Sequence, residues 1–170
     1  MATVPTFDTF AADEVVTDVK LNKNIRDAGN YFRSPPVCVM TNTAVQSIPN
    51  NAATVATLST VVENNDGMAD LANNRIVIKT AGLYVLSGVA GFATNATGFR
   101  TASLLVGTTT VATDYRGANA WYSYASPSSS PVRLAVNDVV TLQVSQNSGA
   151  ALNTNVTIAL TRLGAIWVGV

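Results

Sequence analysis

The residue types that carry most enzyme chemistry are scarce in this sequence. Its 170 residues contain no histidine and a single cysteine, Cys38. Histidine is the commonest general base and metal ligand, so a serine, threonine or cysteine nucleophile would lack its usual partner here. Cys38 lies in the apolar stretch 37–40 (VCVM), where a thiol is usually a small buried side chain. We therefore predict that the protein is not an enzyme and has no catalytic residue and no cofactor.

Acidic side chains offer one candidate metal site. Glu63, Asp66 and Asp70 are close in sequence, and Ca²⁺ prefers several oxygen ligands on a flexible loop. The stretch 64–67 (NNDG) is also a common turn sequence, because asparagine, aspartate and glycine accept the backbone angles of tight turns. We favour the turn and predict no bound metal.

Residues 114–124 (DYRGANAWYSY) place several aromatic side chains around Arg116. Aromatic rings that carry a polar group are typical of interface hot spots and of surfaces that bind sugars. Two interpretations are open: the loop packs over its own domain or over a second copy, or it contacts a glycan. The candidate glycan-contact residues are Tyr115, Trp121, Tyr122 and Tyr124.

The overall composition limits the classes of partner. Charged residues are 12% of the chain against 48% hydrophobic residues, and 10 Lys and Arg balance 10 Asp and Glu. Nucleic-acid binding needs clustered positive charge, so we predict no nucleic-acid partner. No apolar run approaches the roughly 20 residues that span a bilayer, and the first residues lack a signal-peptide pattern. We expect a protein made in the cytoplasm, without a membrane partner and with surface that is covered in an assembly.

The first part of the chain has the pattern of an attachment segment. Residues 1–12 show no helical or strand period, which predicts an extended arm. Thr17 is a suitable N-cap for a helix over residues 17–33, which ends before Pro35. This helix is short and has a narrow apolar stripe, so it must dock on another surface. The candidate anchor residues are Phe7, Phe10, Leu21, Ile25 and Phe32.

The rest of the chain is a succession of short apolar runs separated by turn residues, which indicates a β-sandwich or barrel. In residues 139–146 apolar and polar side chains alternate, which predicts a strand with one face in solvent. Residues 83–92 are apolar on both faces, and with the run 76–78 they predict a β-hairpin whose second strand is covered on both sides. We therefore divide the chain into an anchoring arm and helix (1–36) and an all-β domain (37–170).

Three stretches of this domain resemble signatures of a known fold. Residues 82–86 (GLYVL), 135–142 (AVNDVVTL) and 161–164 (TRLG) resemble the glycine-x-tyrosine, glycine-aspartate-x-valine and final-strand signatures of the jelly-roll domains of complement globular heads and tumour necrosis factor. Asn137 stands where those domains usually have glycine, and asparagine is the next best residue for a left-handed turn. The resemblance implies an all-β jelly-roll sandwich that assembles as a homotrimer.

The same resemblance implies where the subunits meet. The strand rich in small and aromatic residues would lie near the threefold axis, and the apolar C-terminal residues 165–170 would be covered there or by another partner. The candidate trimer-interface residues are Tyr84, Leu86, Phe92 and Trp167.

Over most of its length the chain is also similar to small virion proteins of tailed phages, especially phages of actinobacterial hosts. The similar stretches include 13–33, 46–50 (QSIPN), 93–100 (ATNATGFR) and 146–149 (QNSG). This resemblance implies a phage virion structural protein, in the first place a trimeric capsid decoration protein on the virion surface, attached to the major capsid protein through its arm. The alternative is a minor tail or fibre protein that binds host-surface glycan. A secreted cellular protein of the same fold is disfavoured by the missing signal pattern.

Overall fold

The computed structural model describes residues 5–157 and 160–170. In these residues an extended arm and an N-terminal helix precede two large β-sheets that pack face to face. This architecture confirms the predicted all-β jelly-roll sandwich with an arm and one short helix.

The N-terminal helix is continuous, and its ends follow the sequence signals. Thr17 caps it as predicted, because its Oγ1 accepts a hydrogen bond from the Lys20 N–H at 3.3 Å. The backbone leaves the helical region at Ser34, ahead of Pro35. The helix has an α-helical segment Asp18–Leu21, a π-helical segment Asn22–Asp27 and an α-helical segment Ala28–Arg33.

The π-helical segment changes which side of the helix faces the domain. A π turn holds more residues than an α turn. After it, the side chains that point to a given side of the helix are therefore shifted by about one position along the sequence. The structure buries Ala28 and Tyr31 against the domain and leaves Phe32, a predicted anchor residue, exposed. The Tyr31 ring meets the Trp167 ring edge to face, with ring centroids 5.0 Å apart. The helix therefore docks on its own domain through its C-terminal end and leaves Leu21, like Phe32, exposed.

Strands account for most of the remaining described residues. They are β1 (Val37–Asn42), β2 (Ser47–Ile48), β3 (Thr54–Val55), β4 (Thr60–Asn64), β5 (Ala69–Asp70), β6 (Arg75–Val77), β7 (Gly82–Phe92), β8 (Phe99–Val106), β9 (Thr109–Gly117), β10 (Ser123–Ala125), β11 (Val132–Leu134), β12 (Val139–Gln146), β13 (Leu152–Asn153) and β14 (Thr161–Gly169). A short 3₁₀ turn, Leu71–Asn73, lies between β5 and β6.

The strands form two antiparallel sheets. The first sheet has the order β10-β7-β14-β1-β4, and β11 also pairs with β7. The second has the order β5-β6-β12-β8-β9, and β3 also pairs with β12. Strands β2 and β13 form a separate pair. Neighbours far apart in sequence, such as β7 and β14, are typical of a jelly roll.

The core lies between the two sheets and follows the alternation of side chains along each strand. In β12, Val140 and Leu142 are buried and their neighbours are partly exposed, which confirms the predicted pattern. Facing them from β7, Tyr84, Leu86 and Phe92 have no exposed surface. Full burial of a large apolar side chain contributes about 1.5–3 kcal/mol, so this interior is the main source of stability.

The predicted trimer-interface residues are core residues of the protomer. Tyr84, Leu86 and Phe92 are fully enclosed, and Trp167 is covered by Tyr31 of the N-terminal helix. A second copy has no access to the first three side chains, so assigning them to the interface is wrong. Period-two alternation separates the two faces of β7 but does not say which face points inward.

The predicted hairpin is also wrong in its pairing. Strand β6 pairs with β5 and β12 in the second sheet, whereas β7 pairs with β14 in the first. The intervening link crosses from one sheet to the other. At its end a Cβ on Gly82 would overlap the Trp167 indole nitrogen, so glycine is needed there for the close approach of the two strands.

Candidate binding surfaces

The N-terminal arm lies along the helix and is held to it by polar contacts. The Asp8 N–H donates to Asn24 Oδ1 at 2.8 Å, and Lys23 Nζ pairs with the Asp8 carboxylate at 2.6 Å. Lys20 Nζ pairs with the Glu14 carboxylate, which lowers the pKa of Glu14. These contacts join the described part of the arm and the helix into one unit.

That unit leaves many large apolar side chains in solvent. All five predicted anchor residues are exposed; Phe7 is 64% exposed and Ile25 is 65% exposed. Clustered exposed apolar side chains mark sites of association in soluble proteins. We call the following residues the anchor surface: Phe7, Phe10, Val15, Val16, Val19, Leu21, Ile25 and Phe32.

An apolar groove of about 230 Å³ lies between the arm, the end of the helix and the last strand. Phe7, Phe32 and Val168 are among its lining residues, and Tyr31 also lines it. The Tyr31 hydroxyl is buried and has no hydrogen-bond partner in the part of the chain that the structure describes. Burial, and secondarily the charge of Asp66, raises the pKa of Tyr31. The groove joins the anchor surface to β14.

The outward side of the first sheet is a second apolar surface. Ile166 on β14 lies opposite Val37 on β1 and Val85 on β7, so three β-branched side chains form a row across three strands. Ile166 is 44% exposed, and the two valines are partly exposed. Such a face is typical of a sheet that packs on another subunit. We call the following residues the outer face: Val37, Val39, Leu83, Val85, Val89, Ile166 and Val168.

The aromatic loop forms a cleft between the end of β9 and β10, with a volume of about 190 Å³. Two predicted glycan-contact residues, Tyr122 and Tyr124, line it, and the preceding Trp121 is 78% exposed. The Tyr115 ring instead stacks on Phe99, with centroids 4.8 Å apart. Sequence reasoning missed Ser123, which is buried in the lining of the cleft, because nothing in its sequence context marks it as a lining residue. The lining residues are Arg116, Gly117, Asn119, Tyr122, Ser123 and Tyr124.

Asp114 ties together the two strands that border the cleft. Its carboxylate accepts hydrogen bonds from the Ser126 N–H at 2.8 Å and from Arg116 Nε at 3.0 Å. Burial opposes ionisation of Asp114, but these two hydrogen bonds outweigh it and lower the pKa of the carboxyl group. At neutral pH the pair of Asp114 and Arg116 therefore carries no net charge.

A buried arginine holds the loop beside the cleft. Arg100 has no exposed surface, and its guanidinium donates to three carbonyls within residues 95–99 at 2.8–3.1 Å. Burial lowers the pKa of Arg100. The Ala118 N–H donates to the Gly98 carbonyl at 2.9 Å, which joins this loop to the loop of the cleft. Arginine is seldom fully buried, so the sequence did not mark this position.

The acidic and thiol candidates take part in structural contacts. Asp70 accepts a hydrogen bond from Arg75 Nε at 2.7 Å, and Asp66 accepts one from Thr80 Oγ1 at 2.9 Å. Within residues 5–157 and 160–170, no three His, Cys, Asp or Glu side chains are grouped so that they could hold a metal ion. Cys38 is fully buried, and burial raises its pKa to about 12. Over the same residues, every helix is too short or too polar to cross a bilayer.

Solved structures with a similar fold are known. The structure is similar to murine APRIL at pH 5.0, with a TM-score of 0.60 and 14% identity over 78% of this chain and 98% of that chain. It is similar to Eiger TNF from S. frugiperda, with a TM-score of 0.60 and 8% identity over 79% and 94% of the two chains. For the globular domain of zebrafish complement 1qA the TM-score is 0.55, with 9% identity over 78% and 97%.

The chain has the jelly-roll fold of these domains. Identities this low show the fold alone, so function must be argued from the surfaces of this chain. No protein-family model matches the sequence, and no curated protein is significantly similar to it.

Proposed function

We propose that the protein is a structural component of a phage particle, a homotrimeric decoration protein on the capsid surface. The observation that carries this proposal is the anchor surface, which gathers exposed large apolar side chains on the arm and helix. Apolar side chains displayed in this way favour attachment to another protein. The resemblance of residues 13–33 and of the domain to tailed-phage virion proteins supports a virion as the setting.

Attachment would bring the anchor surface onto the major capsid protein. Burial of a Leu, Ile or Phe side chain contributes about 1.5–3 kcal/mol, and much of this gain is lost in immobilising the two partners. One copy would therefore bind weakly. Three arms on one rigid trimer bind as a unit, because attachment of the first arm raises the effective concentration of the other two.

Trimer formation would use the outer face. Its row of Val37, Ile166 and Val85 is apolar and lies on a regular sheet, so equivalent rows from three copies can pack around one axis. This assignment replaces the interface expected from the sequence with the opposite side of β7. The opposite side is accessible, which the interior side is not.

The attachment is tested by introducing charge into the anchor surface. The double variant Val19→Glu with Ile25→Glu alters two exposed helix residues and leaves the docked residues Ala28 and Tyr31 unchanged. In co-sedimentation with undecorated phage heads, we expect saturable binding of the parent protein and a loss of at least about tenfold in affinity for the variant.

The control for this experiment is Val45→Glu, which adds one carboxylate at a valine that is 55% exposed between β1 and β2. It should bind heads like the parent. A double variant that binds heads as tightly as the parent would show that the proposal is wrong. Binding of the parent to host cells, and not to heads, would favour the tail or fibre alternative.

The trimer is tested separately by light scattering. The parent should have three times the protomer mass at micromolar concentration, and Ile166→Glu should be a monomer, because three carboxylates would meet near one axis. Val45→Glu should remain a trimer. A monomeric parent would contradict the trimer, and an Ile166→Glu variant that stays trimeric would contradict the outer face as the trimer interface.

A further inference from the structure

The cleft between β9 and β10 has no part in attachment or in the outer face, yet it has the features of a binding site. Ser123 forms part of its lining and is only 6% exposed. Its Oγ is buried and has no hydrogen-bond partner among the described residues. A buried hydroxyl without a partner is unfavourable by about 1–3 kcal/mol, and in native structures such groups usually meet a ligand or an ordered water.

The other lining residues define the chemistry of a matching ligand. Tyr122 and Tyr124 present partly exposed aromatic rings, and the neighbouring Trp121 is exposed at the same end of β10. Arg116 and Asn119 add polar groups that can donate hydrogen bonds. A ligand that suits this lining has one apolar face and several hydroxyl groups at its edge, which describes a pyranose sugar ring.

The charge and the volume of the cleft further limit the class of ligand that fits it. Arg116 is paired with Asp114 through a contact of 2.9 Å, so the cleft offers no uncompensated positive charge to an acidic sugar. Its volume of about 190 Å³ is smaller than the roughly 300–1,000 Å³ of sites for drug-sized ligands. The cleft therefore admits one small ring, and the rest of a longer chain would lie outside it near Trp121.

We propose that this cleft binds the neutral hexose ring at the end of a polysaccharide. Tyr124, on the exposed face of β10, and Tyr122 contact the C–H face of the sugar at the mouth of the cleft. Ser123 Oγ, on the buried face of β10, and the Asn119 side chain bond its hydroxyls within the cleft. The Asp114–Arg116 pair, together with the hydrogen bond from the Ser126 N–H, fixes the position of the two strands that carry these groups. The site is independent of where on a particle the protein is attached.

The test uses the full chain and three neutral probes, the methyl glycosides of glucose, galactose and mannose, with glucuronic acid as the charged comparison. Saturation-transfer NMR and calorimetric titration should show saturable binding of at least one neutral glycoside, with a dissociation constant near about 1 mM. Glucuronic acid should bind more weakly. Tyr124→Ala, which removes a ring that is 55% exposed, should weaken binding by about fivefold or more.

Ser123→Ala separates a binding role from a structural one. Removing a buried hydroxyl that has no partner should leave the unfolding midpoint unchanged or higher, while it weakens sugar binding by about fivefold or more. Val45→Ala truncates a side chain of the same fractional exposure as Tyr124, 55%, and should bind like the parent. The proposal is overturned if no neutral glycoside binds saturably, if glucuronic acid binds more tightly, or if the folded Tyr124→Ala and Ser123→Ala variants bind like the parent.

Discussion

Replacing Gly98 with alanine should lower the free energy of unfolding by about 3–6 kcal/mol. Gly98 has φ +78, and a left-handed backbone costs an L-residue about 1–2 kcal/mol. A Cβ there would also overlap Asn147 Oδ1 and the Asn147 carbonyl oxygen, and would lie 2.9 Å from the carbonyl carbon. Moving that backbone adds about 1–3 kcal/mol of packing strain.

The same substitution breaks a hydrogen bond. Asn147 Oδ1 accepts from the Phe99 N–H at 2.6 Å, and it must move away from the new methyl group. Leaving that N–H without its partner costs about 1 kcal/mol or more. Because small domains are stable by only about 5–15 kcal/mol, a change of this size is readily measured.

Gly107→Ala is the matched control. Gly107 has φ +59, but beyond its two chain neighbours no atom of the described residues lies within 4 Å of the position its Cβ would take. Its free energy of unfolding should therefore fall by only about 1–2 kcal/mol, from backbone strain. Both variants are compared with the parent by urea unfolding at one fixed protein concentration, followed by circular dichroism and by fluorescence of the buried Trp167. Equal losses for the two variants would refute the reasoning, because the difference between them isolates the contact with Asn147.

Further predictions concern the buried polar and titratable groups. Arg100→Met should lower the free energy of unfolding by about 2 kcal/mol or more in urea, because three loop carbonyls lose their donor; an unchanged midpoint would contradict this. Asn137→Ala should cost about 1 kcal/mol and Asn137→Gly should cost nothing, because residue 137 has φ +74; equal midpoints for the two variants would show that the turn carries no such strain. The Cys38 thiol should resist Ellman's reagent at pH 8 until the protein unfolds, since it is fully buried. Stoichiometric labelling of the folded protein would contradict that burial. The free energy of unfolding should fall as pH rises from 9 toward 12, since the unfolded chain loses the Cys38 proton in this range and the folded chain retains it; stability that is constant or rising over that range would exclude this linkage.

Local signals in the sequence predicted the individual elements well. Thr17 and Pro35 predicted the two ends of the helix, and the structure has both. The alternation in residues 139–146 predicted β12 and its buried face. The division of the chain at residue 36 stays a prediction. Two residues of the helix that precede this boundary, Ala28 and Tyr31, are buried in the structure.

Errors arose where two elements distant in sequence had to be matched. The apolar runs at 76–78 and 83–92 are adjacent in the chain, but β7 pairs with β14 more than 70 residues later. Two strands that are neighbours in sequence pair as a hairpin only when no other strand pairs with one of them more favourably. The burial of Tyr31 against the domain was likewise not predicted, because nothing in residues 22–27 signals the extra residue of a π turn.

The sequence by itself determined the fold class of this protein, because short strands with turn residues between them make a β-sandwich. It also determined which side chains share a face, since that depends only on the local period of a strand. Only the tertiary structure decided which face of β7 is the interior and that Arg100 is enclosed by its own loop. It also decided that Ser123 lines a cleft. Each of these depends on which surfaces meet across the sandwich, and a local pattern carries no information about its distant partner.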